Sequence, residues 1–151
     1  HIQYCELKNS ALLLYSYVSL RLNDPTTTLE HCATLLSHPG GPGQSALAHL
    51  YSAEALISLD RIAEATEHLN PTIIHSYTSK LSLTLQDVIG FSVCLNNAVC
   101  HAVRGDLTTS RSILQQINSP RALPLQLYLE MCGGNIDNCR VLLRKFTRVP
   151  S

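Results

Sequence analysis

The sequence predicts an all-α protein, an α-solenoid of about four helical hairpins. Apolar residues recur at three- and four-residue steps in eight segments, which is the pattern of helices with one buried face. Short turns containing Asn, Asp or Gly separate the segments in pairs, and small residues recur at matching places around these turns. Because a single hairpin cannot bury its apolar side, neighbouring hairpins are expected to stack.

The composition favours a protein that binds other proteins. Of the 151 residues, 45% are hydrophobic and 15% are charged, against a typical charged content of roughly 25%. This predicts one domain over residues 1–151 with apolar surface left for a partner or for other parts of a longer chain, which the start at His1 also suggests. Eleven basic and eleven acidic residues give no net charge, so no global field attracts nucleic acid or membrane. No apolar run approaches the ~20 residues that span a bilayer.

The first half of the chain predicts two hairpins. Helices are expected over 3–22 and 26–37, with Asp24 as N-cap and Pro25 at the first helical position. A loop follows over 39–43, and then helices over 45–58 and 61–69.

The segment after Pro71 is rich in Ser, Thr and β-branched residues, and its pattern is weak. We expect a loop or a shortened insertion around 70–86. An extended segment is the remaining alternative. The second half then predicts two more hairpins, with helices over 86–104, 107–118, 122–132 and 136–146.

The four hairpins share a register that is set by their turns. The turns are Asn23-Asp24, Asp60-Arg61, Gly105-Asp106 and Gly134-Asn135. At matching distances around them lie Ser16, Ala53, Ala98 and Leu127 in the first helices, and Thr28, Ala65, Ser110 and Cys139 in the second helices. Seven of these eight residues are small. Small residues in the middle of both helices, with apolar residues around them, resemble the tetratricopeptide repeat, whose length is about 34 residues.

The stretch LYSAEALISLDRIAEATEHLNP, residues 50–71, resembles the C-terminal tetratricopeptide region of the tenth subunit of the CCR–NOT deadenylase complex. LNNAVCHAVRGDLTTSRSILQQ and LPLQLYLEMCGGNIDNCRVLLRK match that family more loosely. Members of the family have a long polar insertion after the Asn-Pro, where this chain has only 72–85.

The resemblance implies a subunit without catalytic activity. It implies docking onto the eleventh subunit and onto the N-terminal region of the large scaffold subunit, in the cytoplasm and the nucleus. The complex shortens mRNA poly(A) tails, with nuclease activity in other subunits. The alternative is a helical-repeat RNA-binding module, which needs basic residues on its inner helices.

One stripe on the first helix of each hairpin is the predicted partner-binding surface, because i, i+4 and i+7 positions share a helix face. The stripe is largely apolar, so it suits an apolar helix or another protein segment; the protein's own missing repeats are an equal alternative occupant. Its residues are Leu13, Tyr17, Leu20, Leu50, Glu54, Ile57, Leu95, Val99, Ala102, Pro124, Tyr128 and Met131.

A basic group ends the last predicted helix, with Arg140, Arg144 and Arg148 on one face. Favourable charge at a helix C-terminus explains it, and contact with RNA or an acidic partner is the alternative. The histidines and six cysteines lack the spacing of a metal site, and reduced core thiols are expected. The chain has no nucleophile elbow, paired carboxylates or phosphate-binding loop, so neither a catalytic site nor a cofactor is predicted.

Overall fold

The computed structural model describes residues 2–117 and 119–147. Over these ranges the chain is helical and contains no strand, so the all-α prediction is confirmed. The helices are α1 Ile2–Arg21, α2 Pro25–Ser37, α3 Pro42–Ser58, α4 Ile62–His68, α5 Pro71–Thr78, α6 Leu83–Val103, α7 Leu107–Gln115, α8 Leu123–Cys132 and α9 Ile136–Thr147, with a 3₁₀ turn at Pro120–Ala122.

The chain divides into two compact units, residues 1–96 and 97–151, and the division falls within α6. The first unit contains α1 to α5 and the N-terminal part of α6. The second contains the rest of α6 and α7 to α9. The single domain over 1–151 therefore stays a prediction.

The four predicted turns share one backbone geometry. Asn23, Asp60, Gly105 and Gly134 have φ values of 64°, 59°, 85° and 71°, in the left-handed region that suits Gly and Asn. In the first turn, the Asp24 N–H donates to the Ser19 carbonyl over 2.8 Å, and the Asn23 N–H donates to the Leu20 carbonyl over 3.2 Å. The other three turns repeat both bonds, so each hairpin turns at a Schellman motif.

The residue after each left-handed position is the N-cap of the next helix. The Thr27 N–H donates to Asp24 Oδ1 over 3.3 Å, and the Thr109 N–H donates to Asp106 Oδ1 over 3.2 Å. Hydrogen bonds from these threonine side chains and N–H groups lower the pKa of both aspartates. The same short sequence therefore ends one helix and caps the next, which explains why the turns set the register.

Small residues in the middle of the helices let the two backbones of a hairpin approach. Ser16, Thr28, Ala98 and Ser110 are all fully buried. The Ser110 hydroxyl donates to the Ala98 carbonyl over 2.7 Å, and the Thr28 hydroxyl donates to the Ser16 carbonyl over 3.4 Å. In these two hairpins the small-residue contacts are therefore reinforced by a buried hydrogen bond.

The loop expected around 70–86 is mostly helical, so this part of the prediction is wrong. The Thr72 N–H donates to Asn70 Oδ1 over 2.9 Å, and Pro71 fills the first position of α5. Ile74 and Thr78 are buried, and this tertiary contact stabilises a sequence whose β-branched residues have weak helix propensity. A shortened insertion relative to the family stays a prediction.

The preceding loop is also shorter than expected, because α3 begins at Pro42. The core of the first unit contains Cys32, Leu35 and Ala48, with Leu12, Leu13, Leu36 and Tyr51 packed against them.

By length and composition α6 is long and apolar enough to cross a membrane, although no such segment was predicted from the sequence. The core helix of a soluble protein passes the same test, and 28% of this apolar window is buried within the described structure. Ile89, Val93 and Cys100 are buried, and the polar Asn96 side chain bonds within the first unit. Burial raises the pKa of the Cys100 thiol, and all six cysteines are free.

Candidate protein-interaction surfaces

The first unit holds the first seven residues of the predicted stripe. Tyr17 on α1 is 42% exposed, whereas Leu13, Leu20, Ile57 and Leu95 are half-buried. Leu50 is only 4% exposed, so its assignment to a partner-binding surface is wrong. The reason is that α3 is enclosed by α1, α2, α4 and α5, which bury more of its circumference than a surface helix buries.

Tyr51, next to Leu50, takes the place that Leu50 was predicted to fill. The rings of Tyr17 and Tyr51 lie 5.9 Å apart between α1 and α3, in a tilted arrangement. The Arg21 guanidinium lies 5.1 Å from the centroid of the Tyr17 ring, within the range of a cation–π interaction.

Polar side chains of α3 and α6 border the tyrosine pair. Asn96 Nδ2 donates to Glu54 Oε1 over 3.3 Å and also to the Ser92 carbonyl over 2.9 Å. Burial, followed by the nearby Glu54 carboxylate, raises the pKa of the Tyr51 phenol. We call these residues, Tyr17, Arg21, Tyr51, Glu54 and Asn96, the Tyr17 surface.

The sequence pattern predicted Tyr17 and Glu54 but not Arg21, Tyr51 or Asn96. Arg21 follows Tyr17 by one helical turn, so the sequence contained the signal for that pair. The positions of Tyr51 and Asn96 in the surface depend on which side of each helix is buried, so the sequence contained no such signal for them. The surface is accordingly more polar than the apolar stripe that was expected.

The second unit holds the remaining stripe residues. Val99 is half-buried and Ala102 is buried, whereas Pro124, Tyr128 and Met131 are exposed. A hydrogen bond with Cys132 raises the pKa of the Tyr128 phenol. Ala102 is as buried as Leu50, so its assignment to a partner-binding surface is also wrong. Whether the other four residues bind a partner stays a prediction.

Two of the three basic residues predicted at the end of the last helix are exposed on α9. Arg140 lies 3.9 Å from Asp137 on the same helix, and Arg144 is in its last turn. Arg148 lies outside the described residues. Positive charge near the C-terminus of α9 agrees with the explanation from the helix dipole. Contact of these residues with RNA stays a prediction.

A histidine pair joins α3 to α4 in the first unit. His49 Nδ1 and His68 Nδ1 are 3.0 Å apart, and the Tyr77 ring of α5 lies 5.7 Å from the His49 ring. Burial lowers the pKa of both histidines. Among the described residues no group of three or more His, Cys, Asp or Glu side chains is placed to hold a metal ion.

The first unit also contains a cleft of about 580 Å³ between the start of α1 and the end of α2. Its walls include Cys5, Asn9, Thr34 and His38. The Asn9 amide reaches the His38 carbonyl over 3.4 Å and ties the two helices together beside the cleft.

Stacked helical hairpins with small residues at their crossings define a tetratricopeptide-type repeat protein. Residues 6–90, more than half of the chain, match the CNOT10 tetratricopeptide repeat domain. The chain therefore belongs to the CNOT10 tetratricopeptide repeat family, as the resemblance of residues 50–71 predicted.

Relatives extend this match beyond residue 90. CCR4-NOT transcription complex subunit 10-A of Xenopus laevis is 30% identical over 181 residues, covering 96% of this chain and 24% of the frog protein. Subunit 10 of Drosophila melanogaster is 30% identical over 144 residues, covering 86% of this chain and 23% of the fly protein. The chain thus spans about a quarter of the length of these curated relatives.

Proposed function

We propose that this chain is a non-catalytic adaptor module of the CCR4-NOT complex, which binds other subunits through its helical hairpins. Membership of the CNOT10 family supports the proposal, because the relatives are named as subunits of that complex. In this role the adaptor contributes to mRNA deadenylation by holding other subunits in position. The nuclease activity belongs to other proteins.

The Tyr17 surface is the observation that carries the proposal. Tyrosine and arginine are enriched among residues that dominate binding energy, and here they occur together and accessible on α1. The tyrosine rings are held by their mutual contact, so binding them costs little further side-chain entropy. The Glu54 carboxylate and the Asn96 amide provide polar groups at the edge of the aromatic pair.

The partners we propose are the eleventh subunit and the N-terminal region of the large scaffold subunit, as the family resemblance implies. Their contact with this chain would occur in both the cytoplasm and the nucleus. No cofactor, small-molecule substrate or membrane is needed for this role.

The experiment measures binding of these two partners to the protein that contains this chain. Leu50 is buried, so a charge there would unfold the protein, and the variants must lie on the Tyr17 surface instead. We expect Tyr17→Ala with Arg21→Glu to weaken binding at least about tenfold, which corresponds to about 1.4 kcal/mol. Calorimetric titration provides the affinity, and an unchanged melting temperature shows that the variant is folded.

The matched control is Arg61→Ala, which removes an exposed ion pair with Glu64 in the same unit. Its effect on affinity is expected to be less than about twofold, since exposed pairs contribute little. A folded Tyr17 variant that binds both partners with full affinity would refute the assignment.

A filter-binding titration with RNA tests the alternative function. We expect weak binding that disappears as salt rises, because the chain has no net charge. Tight binding at physiological salt, lost on changing Arg140 and Arg144 to Glu, would favour an RNA-binding module instead.

A further inference from the structure

The Tyr17 surface contains two opposite charges, and neither has a charged partner among the described residues. Arg21 is exposed at the last position of α1, and no described carboxylate lies within ion-pair distance of its guanidinium. Glu54 is half-buried on α3, and no described basic side chain lies within ion-pair distance of it. Charges left in this state on a binding surface are complemented by opposite charges of a partner.

The Arg21 guanidinium is held in place while its donors stay available. Its central carbon lies 5.1 Å from the centroid of the Tyr17 ring. This cation–π contact consumes no N–H group, and the guanidinium donates no hydrogen bond within the described part of the chain. A planar guanidinium with available donors binds a carboxylate through two parallel hydrogen bonds. Arg21 therefore suits an acidic side chain of a partner.

The Glu54 carboxylate is fixed through one oxygen and keeps the other available. Its Oε1 accepts from Asn96 Nδ2 over 3.3 Å, and the same amide nitrogen also donates to the Ser92 carbonyl over 2.9 Å. Within the described ranges Oε2 accepts no hydrogen bond. Because an ionised carboxylate has about four acceptor sites, Glu54 retains the capacity to bind a lysine or an arginine.

The two tyrosine rings connect these charges. Arg21 contacts the Tyr17 ring, the Tyr17 and Tyr51 rings are 5.9 Å apart, and Glu54 follows Tyr51 by three residues on the same face of α3. Burial and then Glu54 raise the pKa of the Tyr51 phenol, whereas Arg21 lowers it. Both charges therefore act on one ring, and the aromatic pair lies between them.

We propose that the Tyr17 surface binds a partner segment that presents a carboxylate to Arg21 and a lysine or arginine to Glu54, with an apolar side chain over the tyrosine rings. The inference rests on the proposed function, because it specifies the partner's chemistry at that surface. A uniformly acidic segment, or the phosphates of RNA, would be attracted by Arg21 but repelled by Glu54. The two charges also fix the direction of the bound segment, because reversing it would bring like charges together.

The first test compares Arg21→Gln and Glu54→Gln in the protein that contains this chain. Each substitution removes one charge and keeps a similar shape. Calorimetric titration with the two proposed partners, in unmodified form, is carried out at low and at physiological salt. We expect each variant to weaken binding of the partner that occupies the surface about three- to tenfold at low salt. We also expect each to reduce the salt dependence of the affinity, because salt screens ion pairs.

The matched controls are Arg61→Gln and Glu30→Gln, which remove exposed charges elsewhere in the first unit and should change the affinity less than about twofold. If Tyr17→Ala weakens binding while both charge variants bind normally, the proposed function stands and the charge assignment is wrong. If Tyr17→Ala also binds normally, both are wrong. A lower melting temperature of Arg21→Gln with unchanged affinity would assign Arg21 to the dipole of α1 alone and overturn the proposal.

The second test reverses the charges of one contact. Arg21→Glu is titrated with a set of partner variants in which each acidic residue is changed to arginine in turn. We expect one of them to bind Arg21→Glu at least about tenfold more tightly than the unchanged partner does, and to bind the natural protein more weakly. If no partner variant restores binding, no carboxylate of the partner contacts Arg21 and the proposal is wrong.

Discussion

The histidine pair between α3 and α4 makes the stability of the first unit depend on pH. With Nδ1 atoms 3.0 Å apart, one ring donates its proton to the other, and this requires at least one neutral ring. When both rings are protonated, neither Nδ1 can accept and two positive charges face each other. Acidification is therefore expected to weaken the contact between the two helices.

The sign follows from the pKa shifts. Burial lowers the pKa of His49 and of His68 from the unfolded value of about 6.5. A lowered histidine pKa means that the stabilisation is fully present above the unfolded value and is lost as pH falls through the lower folded values. Glu67 and Glu64 on α4 favour the charged form of His68, while His68 disfavours the charge on His49. His68 should therefore take up its proton before His49.

The magnitude comes from two contributions. Loss of the hydrogen bond costs about 1 kcal/mol. Repulsion between the two charges adds at most about 1 kcal/mol, because both rings are half-exposed and salt screens them. A total of about 1–2 kcal/mol lowers the melting temperature by about 2–8 °C for a protein of this size.

The assay is thermal unfolding followed by circular dichroism between pH 7.5 and 5.0 at constant ionic strength. His68→Asn should remove most of the difference in melting temperature between pH 7.5 and pH 5.0, because the pair of like charges can no longer form. His75→Asn is the control, since His75 is exposed on the neighbouring helix α5. If His68→Asn loses as much stability in acid as the natural protein, another group is responsible and the reasoning is wrong.

Two further substitutions test the packing and the turns by thermal unfolding. Ala65→Leu should destabilise by about 1–3 kcal/mol because no space surrounds this buried residue, whereas Ala63→Leu on the exposed face of α4 should have little effect. Equal effects of the two would contradict the close approach of the helices. Gly105→Ala should cost about 1–2 kcal/mol at its φ of 85°, and Gly133→Ala, where an added Cβ meets only ordinary contacts, should cost less. A Gly105 variant as stable as the Gly133 variant would contradict the left-handed turn.

The sequence predicted the hairpins well because their determinants are local. Asn23 and Gly105 accept the left-handed conformation, and the aspartate that follows each of them caps the next helix. Both signals act within a few residues, so they can be read without knowledge of the tertiary structure. The small residue in the middle of each helix is likewise visible as a repeated position, such as Ser110.

The prediction failed at α5 because the determinants there are not local. Thr72 and Ile73 are weak helix formers, and their composition suggested a loop. Burial of Ile74 and Thr78 provides the stability that propensity does not. The cap formed by Asn70 and Pro71 was the one local signal for this helix.

The sequence by itself determined the helical hairpins, the register of their turns and the family to which the chain belongs. Only the tertiary structure decided that Leu50 is buried and that Tyr51 lies beside Tyr17. Periodicity shows that a helix has an apolar face, but α3 has helices on several sides. Neighbouring residues of a helix point about 100° apart, so a shift of one position changes which side chain is exposed. The interaction surface therefore depends on which neighbours enclose each helix, and this information is not local in the chain.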